Sequence, residues 1–257
     1  MKKEHKTHNT SWEPVSKWYN KVVGNEGHYY HQNIIIPKLL TLLHFSKEKG
    51  QSLLDLACGQ GVMANKIPQD MAYLGIDISP SLIKEAKSKD KNRKHGYLVA
   101  DVSKPLKLDR KYSHGTIVLA LQNIEDVLVV LRNAHGHLED GGHLAIVLNH
   151  PCFRIPRQSS WGVDEQKKMQ YRRVDRYFSA MSIPIAANPS KGEASLETMT
   201  YHHPLSYYCA CLKEVGFVIE TIDEWCSDKE SVGKNAKMEN RSRDEIPMFL
   251  TIIAKCV

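Results

Sequence analysis

The order of elements along the chain predicts an α/β protein whose mostly parallel sheet is covered on both faces. Three observations carry that prediction. Short apolar runs bounded by turn residues recur at 51–57, 73–77, 95–99, 116–121 and 143–148, with helical patterns between most of them. Parallel neighbours need such crossovers. A glycine turn, Cys58-Gly-Gln-Gly61, follows the first run directly, and two final runs, 218–225 and 248–254, suit an antiparallel hairpin at the sheet edge.

The first helix is expected over 33–44, because Ile35, Leu39, Leu42 and Leu43 recur at helical spacing. Pro37 is tolerated in its first turn. After the glycine turn a short helix should run to about Pro68. Ser79-Pro80 opens the next helix, the serine as N-cap and the proline at the first helical position, and that helix should reach about Lys89. Residues 127–138 read as another helix, broken by Gly141-Gly142. The alternation then stops. Residues 151–203 are rich in Arg, Pro, Ser and aromatics, which suggests an insertion or lid. Residues 205–215 form a helix ending at Gly216, and 227–245 reads as a long charged loop.

The chain has 257 residues, 42% apolar and 25% charged, which excludes a disordered protein. A net charge of +6, with no long run of one sign, only mildly favours an acidic partner. The N-terminal residues 1–10 lack the apolar core of a secretory signal, and no apolar stretch is long enough to span a bilayer. A cytoplasmic location is therefore expected. The six cysteines have neither zinc-site nor disulfide-framework spacing, so they are expected to be reduced and no metal is expected.

The glycine turn and its neighbours carry the chemistry. Gly59, Gly61 and Ala64 satisfy the loose dinucleotide pattern G-x-G-x-x-A, which alone is weak. Asp55, four residues before Gly59 at the carboxyl end of the strand, would oppose a pyrophosphate but suits a cationic ligand. S-adenosylmethionine carries a sulfonium and an α-ammonium. Asp77 ends the second run and can accept hydrogen bonds from ribose hydroxyls, which either cofactor would use. Asp101 follows the third, where a carboxylate could bond the adenine amino group. Three acids at consecutive strand ends lie along the crevice where open α/β sheets bind ligands. A single such Asp could equally be a solvated strand end or a helix cap.

These segments resemble those of the class I S-adenosylmethionine-dependent methyltransferases, in particular the type 11-like small-molecule branch. Leu-Leu-Asp55-Leu-Ala-Cys-Gly59-Gln-Gly61 resembles their first motif, and Gly75-Ile-Asp77-Ile-Ser79 the ribose-binding motif. Ala100-Asp101-Val102 resembles the adenine-proximal motif, and Leu119-Ala-Leu-Gln-Asn-Ile-Glu-Asp126 the loop after the fourth strand. The Gln122-Asn123-Ile124 segment is similar to one in the quinone C-methyltransferases, over a short span. The resemblance covers roughly residues 50–150. It implies a Rossmann-like three-layer sandwich, a seven-stranded, mostly parallel sheet with an antiparallel last strand, plus the inserted lid. Residues 1–32 would cover the cofactor, 33–150 form the core, 151–203 the substrate-side insertion, and 204–257 the helix and hairpin completing the sheet. It also implies S-adenosylmethionine as cofactor, with S-adenosylhomocysteine as product. Asp55, Ala57, Gly59 and Gly61 would then line its methionine end, Asp77 and Ile78 hold the ribose, Asp101 and Val102 the adenine, and Leu119 and Ala120 lie near the sulfur. Tyr19, Tyr30 and His31 would close over the methionyl group, or else pack the entrance of the N-terminal helix.

Methyl transfer from a sulfonium needs alignment above all, and a general base only when the acceptor must lose a proton early. His150, after the fifth run, is the candidate base, with a structural role at a strand end as the alternative. Asn123, Arg154, Arg157 and Trp161 are the candidate substrate contacts, the arginines suiting an anionic group. Eight Lys/Arg against five Asp/Glu across 151–203 is a weak basic balance for a nucleic-acid groove. The expected partner is a small, partly apolar acceptor, anionic or quinone-like. RNA or protein methylation, a nicotinamide-dependent (NAD(P)) oxidoreductase, and a non-catalytic cofactor-binding protein remain the alternatives.

Overall fold

The computed structural model describes residues 12–16, 24, 27–45, 50–187 and 195–257. Five strands follow the expected order: β1 (Ser52–Leu56), β2 (Ala72–Asp77), β3 (His95–Val99), β4 (Tyr112–Val118) and β5 (Leu138–Asn149). The insertion contributes β6 (Ser159–Asp164), β7 (Met169–Val174), β8 (Met181–Ala186) and β9 (Glu197–His202), and the chain ends with β10 (Phe217–Trp225) and β11 (Phe249–Cys256). The helices are α1 (Ile36–Leu43), α2 (Pro80–Lys89), α3 (Val127–His137), α4 (Leu205–Val215) and α5 (Ala236–Glu245). No described helix is long and apolar enough to cross a membrane.

The main sheet has seven strands in the order β10-β11-β5-β4-β1-β2-β3. Strands β1 to β5 pair in parallel, whereas β11 runs antiparallel to both β5 and β10. Side chains alternate across this sheet with the strand period of two. Leu54 and Leu56 of β1, Leu144, Ile146 and Leu148 of β5, and Leu250 and Ile252 of β11 pack on one face with α3 and α4. Leu53, Ala145, Val147 and Ile253 pack on the other, with α1. Covering both faces is what makes the central strands apolar throughout. The strand order reverses between β1 and β4, and the carboxyl ends of those two strands open the crevice in which such sheets bind ligands.

Several local features depart from the sequence expectation. The helix expected at 33–44 begins earlier, as a π-helical turn over His31–Ile35 that leads into α1. The segment after the glycine turn is a succession of i→i+3 turns, with Gly61 N donating to Cys58 O (3.0 Å), Ala64 N to Gly61 O (3.1 Å) and Lys66 N to Met63 O (2.9 Å). The fourth strand lies over Tyr112–Val118, and the chain leaves it at Leu119, whose φ is 52°. Helix α3 ends at His137, and Gly141-Gly142 lie inside β5. There a Cβ on Gly142 would stand 2.9 Å from the Glu139 carbonyl oxygen and 3.0 Å from that of Ser113, so close backbone approach, and no helix stop, explains the glycine. The expected loop at 227–245 carries α5, whose Ser242 hydroxyl donates to Gln170 of β7 at 2.7 Å. Tertiary contact supplies that order despite the helix's polar sequence.

The insertion is two separate antiparallel hairpins, β6–β7 and β8–β9. The first packs on α5, and the second meets the loop after β4.

Candidate active site

Cavity walls at the switch point begin with the turn after β1. Ala57 takes φ 59° and Gly59 φ 56°, the first an unusual backbone region for a residue with a side chain. Strain of this kind collects where a ligand must meet the backbone. Asp77, at the end of β2, holds the turn in place: its Oδ2 accepts from Gly59 N (2.9 Å) and its Oδ1 from Ser79 N (2.8 Å). Burial pushes its pKa up, although both hydrogen bonds oppose that shift. Asp101 accepts from Ser103 N (2.9 Å) and Ser103 Oγ (2.6 Å), which fixes the loop after β3.

Together these residues line a cavity of about 360 Å³. One end is formed by Ala57, Gly59, Asp77, Ile78, Leu82, Asp101, Val102 and Ser103. Val118, Leu119 and Ala120 form the middle, and Gln122, Asn123, Ile124, Asn149, Pro156, Ile185 and Thr200 the other end. Trp12 and His31 complete the wall. A small annex of about 40 Å³ shares His31, Ala57, Gly59 and Val118 and reaches Asp55.

Asp55 is fully buried. Its Oδ2 accepts from Tyr73 (2.8 Å) and its Oδ1 from Thr116 (2.9 Å). Burial outweighs those two hydrogen bonds and raises its pKa to about 6. Such a carboxylate would gain from a cation beside it. His31, between cavity and annex, has its pKa lowered to about 4 by burial and then by His28, so the ring is neutral at pH 7. Its Nδ1 is buried without a hydrogen-bond partner among the described residues. Gln122 Oε1 is in the same position.

The other candidates divide. Gly61 lies behind the cavity, where a Cβ would come within 3.0 Å of Tyr97 Oη and 3.2 Å of Ala86; at φ 73° it serves close packing and does not face the cavity. Tyr30 turns to the C-terminal segment, its hydroxyl 3.1 Å from Ser227 Oγ and its ring under Lys229. Tyr19 lies outside the described residues.

His150 is held by its neighbours on both ring nitrogens. Its Nδ1 accepts from the backbone N–H of Cys152 (3.1 Å) and Phe153 (3.3 Å), which leaves the proton on Nε2, facing Glu224 Oε1 at 2.7 Å. Burial lowers its pKa against the pull of Glu224. Both nitrogens are engaged and the ring does not line the cavity, so the geometry makes His150 a fastener of the turn after β5 and gives no support to a base role. Arg154 and Arg157 do not line it either. Arg157 is exposed, while burial lowers the pKa of Arg154. Trp161 is 38% exposed on β6 and stacks with Arg172, 5.1 Å from its ring centre. Of the four expected substrate contacts, only Asn123 lies on the cavity wall.

Sequence reasoning passed over Trp12, Gln122, Pro156, Ile185 and Thr200. Trp12 is held by its neighbour: the Glu13 carboxylate accepts from Ser79 Oγ, Ser81 N (3.0 Å) and Ser81 Oγ (2.5 Å), which ties the N-terminal segment to the start of α2. Those bonds hold the Glu13 pKa below the usual carboxylate range. A carboxylate there also suits the positive end of the helix. No titratable cluster of metal-binding composition occurs among the described residues.

The chain is similar to known proteins in sequence and in fold. Residues 54–146 match a family described as a methyltransferase domain. A demethylmenaquinone methyltransferase of Listeria monocytogenes is 28% identical over 107 residues, which are 39% of this chain and 45% of that protein; the chain thus spans under half the length of the curated relative. A demethylmenaquinone methyltransferase of Staphylococcus carnosus is 27% identical over 114 residues, 42% of this chain and 47% of that one. Among solved structures, an S-adenosylmethionine-dependent methyltransferase from Mesorhizobium loti superposes with a TM-score of 0.68 at 23% identity, over 90% of this chain and 100% of that one. The glycopeptide N-methyltransferase MtfA, solved with (S)-adenosyl-L-methionine, gives 0.56 at 12% identity, over 87% and 93%.

Proposed function

We propose that the protein, whose residues 54–146 match a methyltransferase domain and whose sheet has the class I Rossmann-like fold of S-adenosylmethionine-dependent methyltransferases, transfers the methyl group of S-adenosylmethionine to a small, partly apolar acceptor. One observation carries this reading: a single cavity joins the strand ends that bear Asp77 and Asp101 to the insertion residues Pro156, Ile185 and Thr200.

The donor set fits the cofactor's chemistry. Asp55 would balance the α-ammonium through the annex. Asp77 with Ile78 would hold the ribose, and Asp101 with Val102 the adenine. Leu119 and Ala120 would flank the sulfur. When bound, S-adenosylmethionine supplies a methyl group already activated on a sulfonium. The chain's own contribution is then to hold the acceptor in line and keep water out, which can supply most of the rate. Among the described residues the acceptor end carries no carboxylate, lysine or arginine on its wall, in keeping with catalysis by alignment. The partial likeness to demethylmenaquinone methyltransferases supports a small-molecule acceptor. None of the six cysteines is paired, which suits a reducing compartment and supports a cytoplasmic location.

Calorimetric titration with S-adenosylmethionine, S-adenosylhomocysteine and NADH tests the reading. Binding of the two sulfur ligands with no response to NADH is expected. A response to NADH alone would assign the glycine turn to a nicotinamide cofactor.

A further inference from the structure

Outside the cavity, one cation of the insertion lacks a counter-charge. Arg173 pairs with Asp175 (2.8 Å) and Lys167 with Asp164 (3.9 Å). Arg154 ends the turn after β5, where its backbone N–H donates to His150 O at 2.8 Å. Its guanidinium has neither an ion pair nor a hydrogen bond among the described residues. The side chain is half-buried, and burial lowers its pKa. Only the Tyr30 hydroxyl opposes that shift, and a phenol brings no formal charge at pH 7. A desolvated cation without a partner is unfavourable by itself and gains when an anion reaches it.

The surroundings add positive charge. Arg172 has its pKa lowered by burial and then by Arg154. It uses Nε on Phe153 O (2.7 Å) and Nη2 on Ser159 Oγ (2.8 Å), which leaves Nη1 uncommitted. Lys229 Nζ lies over the Tyr30 ring, 5.0 Å from its centre. Nearby carboxylates are engaged elsewhere, Asp228 with Tyr29 Oη (3.1 Å) and Glu224 with His150 Nε2 (2.7 Å). Ser227 Oγ accepts from Lys229 N (3.2 Å) and stands 3.1 Å from Tyr30 Oη. With Ser227 donating to Tyr30, the Tyr30 proton is free for a ligand. The guanidinium can also be reached. His31 Nδ1 is sealed from solvent without a partner, whereas no nitrogen of Arg154 is in that state, so each keeps accessible surface.

We infer that Arg154 and Tyr30 form a binding site for an oxyanion, a phosphate or carboxylate group whose oxygens meet the Arg154 guanidinium and the Tyr30 hydroxyl. Arg172 and Lys229 supply further positive potential. The planar fork of an arginine can meet two such oxygens at once. The site stands beside the cavity: Tyr30 precedes His31, and Arg154 lies two residues before Pro156, both of which are on the cavity wall. Its anion is therefore a free ion or the charged end of an acceptor that extends past the wall.

The test titrates the full chain with inorganic phosphate by calorimetry, with chloride holding the ionic strength constant. Phosphate should bind the wild type at one site with a Kd of about 1 mM or tighter. Arg154→Gln should weaken that binding at least about ten-fold, and Tyr30→Phe about three-fold or more. Thermal melts separate binding from a structural role. Without phosphate, the midpoint of Arg154→Gln should equal or exceed that of the wild type, since an uncompensated cation has gone. The rise in midpoint that phosphate gives the wild type should shrink in the variant. A second arm uses 2-naphthyl phosphate on the chain loaded with S-adenosylhomocysteine. Binding tighter than that of inorganic phosphate, and lost in Arg154→Gln, would assign the anion to the acceptor. Binding no tighter would assign the site to a free ion. Absence of phosphate binding by the wild type would overturn the inference, and so would equal phosphate affinity in Arg154→Gln and Tyr30→Phe. A phosphate-free midpoint of Arg154→Gln well below the wild type would make the arginine structural and overturn it too. The phosphate arm needs no cofactor, so a failure of S-adenosylhomocysteine to bind would count against the methyl-transfer reading alone.

Discussion

The two ends of the cavity are built on different plans. At the cofactor end, the backbone does the positioning. Asp55 and Asp77 sit at or beside the last residues of parallel strands, and Asp101 follows β3 by two residues, so the sheet itself delivers them to the crevice. At the acceptor end, the wall is assembled from side chains far apart in sequence: Asn149 as the last residue of β5, Pro156 in the following turn, and Ile185 and Thr200 on a hairpin. They meet only because β8–β9 packs on the loop after β4. One end is thus fixed by sheet geometry, and the other is set by which side chains the insertion presents. The same fold can keep its cofactor chemistry while the insertion changes the acceptor.

The largest effect should come from the residue that serves both the ligand and the backbone. Asp77 is 8% exposed and braces the glycine turn through Gly59 N and Ser79 N. Asp77→Ala should weaken S-adenosylhomocysteine binding by about 3 kcal/mol, roughly a hundred-fold, because charged hydrogen bonds to ligand and turn go together. Circular dichroism should still report a folded chain. Calorimetry showing wild-type affinity in the variant would remove Asp77 from the site and break the comparison at its strongest point.

Asp55 sharpens the comparison through pH. Its carboxyl titrates at about 6 in the folded protein because it is buried, and only the ionised form can balance an ammonium. Cofactor-product affinity should therefore rise with pH, by about ten-fold from pH 5 to pH 7.5, since at pH 5 only about a tenth of the sites are ionised. The linkage to stability runs the other way. A raised folded pKa lets the native state hold its proton longer than the unfolded chain does. The stability from this group is therefore fully present below about pH 4 and is lost as pH rises through about 6. Asp55→Asn should flatten both slopes. A binding curve in which the wild type is already flat would show that Asp55 holds no cation.

How much of this was legible in the sequence follows the same division. The strand ends could be read because period, glycine turn and carboxylate coincide within short segments. Gly61 was legible as a glycine but not in its purpose, since Tyr97 and Ala86, which crowd it, arrive from β3 and α2. His150 was legible only as a reactive side chain at a strand end for a related reason: its partner Glu224 lies 74 residues away on β10. Ile185 and Thr200 carry no local signature at all. They stand on a hairpin whose docking no short pattern announces, and β9 is buried on both sides of Thr200. Gln122 stood in a segment marked by resemblance, but the burial of its oxygen is a property of the assembled cavity.

His150→Ala should therefore act on the fold and spare the site. Losing the ring leaves two backbone N–H groups without their acceptor and Glu224 without its donor. Stability should fall by about 1–3 kcal/mol. Cofactor-product affinity, measured on the folded fraction, should match the wild type. A drop in turnover with unchanged thermal midpoint would restore it as a catalytic residue.

The smallest effect belongs to the other hairpin, and it separates the two halves of the insertion. Trp161 and its stacked partner Arg172 lie on β6–β7, which packs on α5 and not on the cavity. The indole is partly exposed, and a cation–π contact in such a setting is worth about 0.5–1 kcal/mol. Trp161→Ala should cost no more than that in stability and leave cofactor-product binding and turnover at wild-type values. Thr200→Val on β8–β9 removes a hydroxyl from the cavity wall and its hydrogen bond to the Gln122 backbone carbonyl, and should keep the fold while lowering turnover more than Trp161→Ala does. Were Trp161→Ala instead to lower turnover as much as Thr200→Val, the two hairpins would share the acceptor, and the boundary of the site would have to be drawn around the whole insertion.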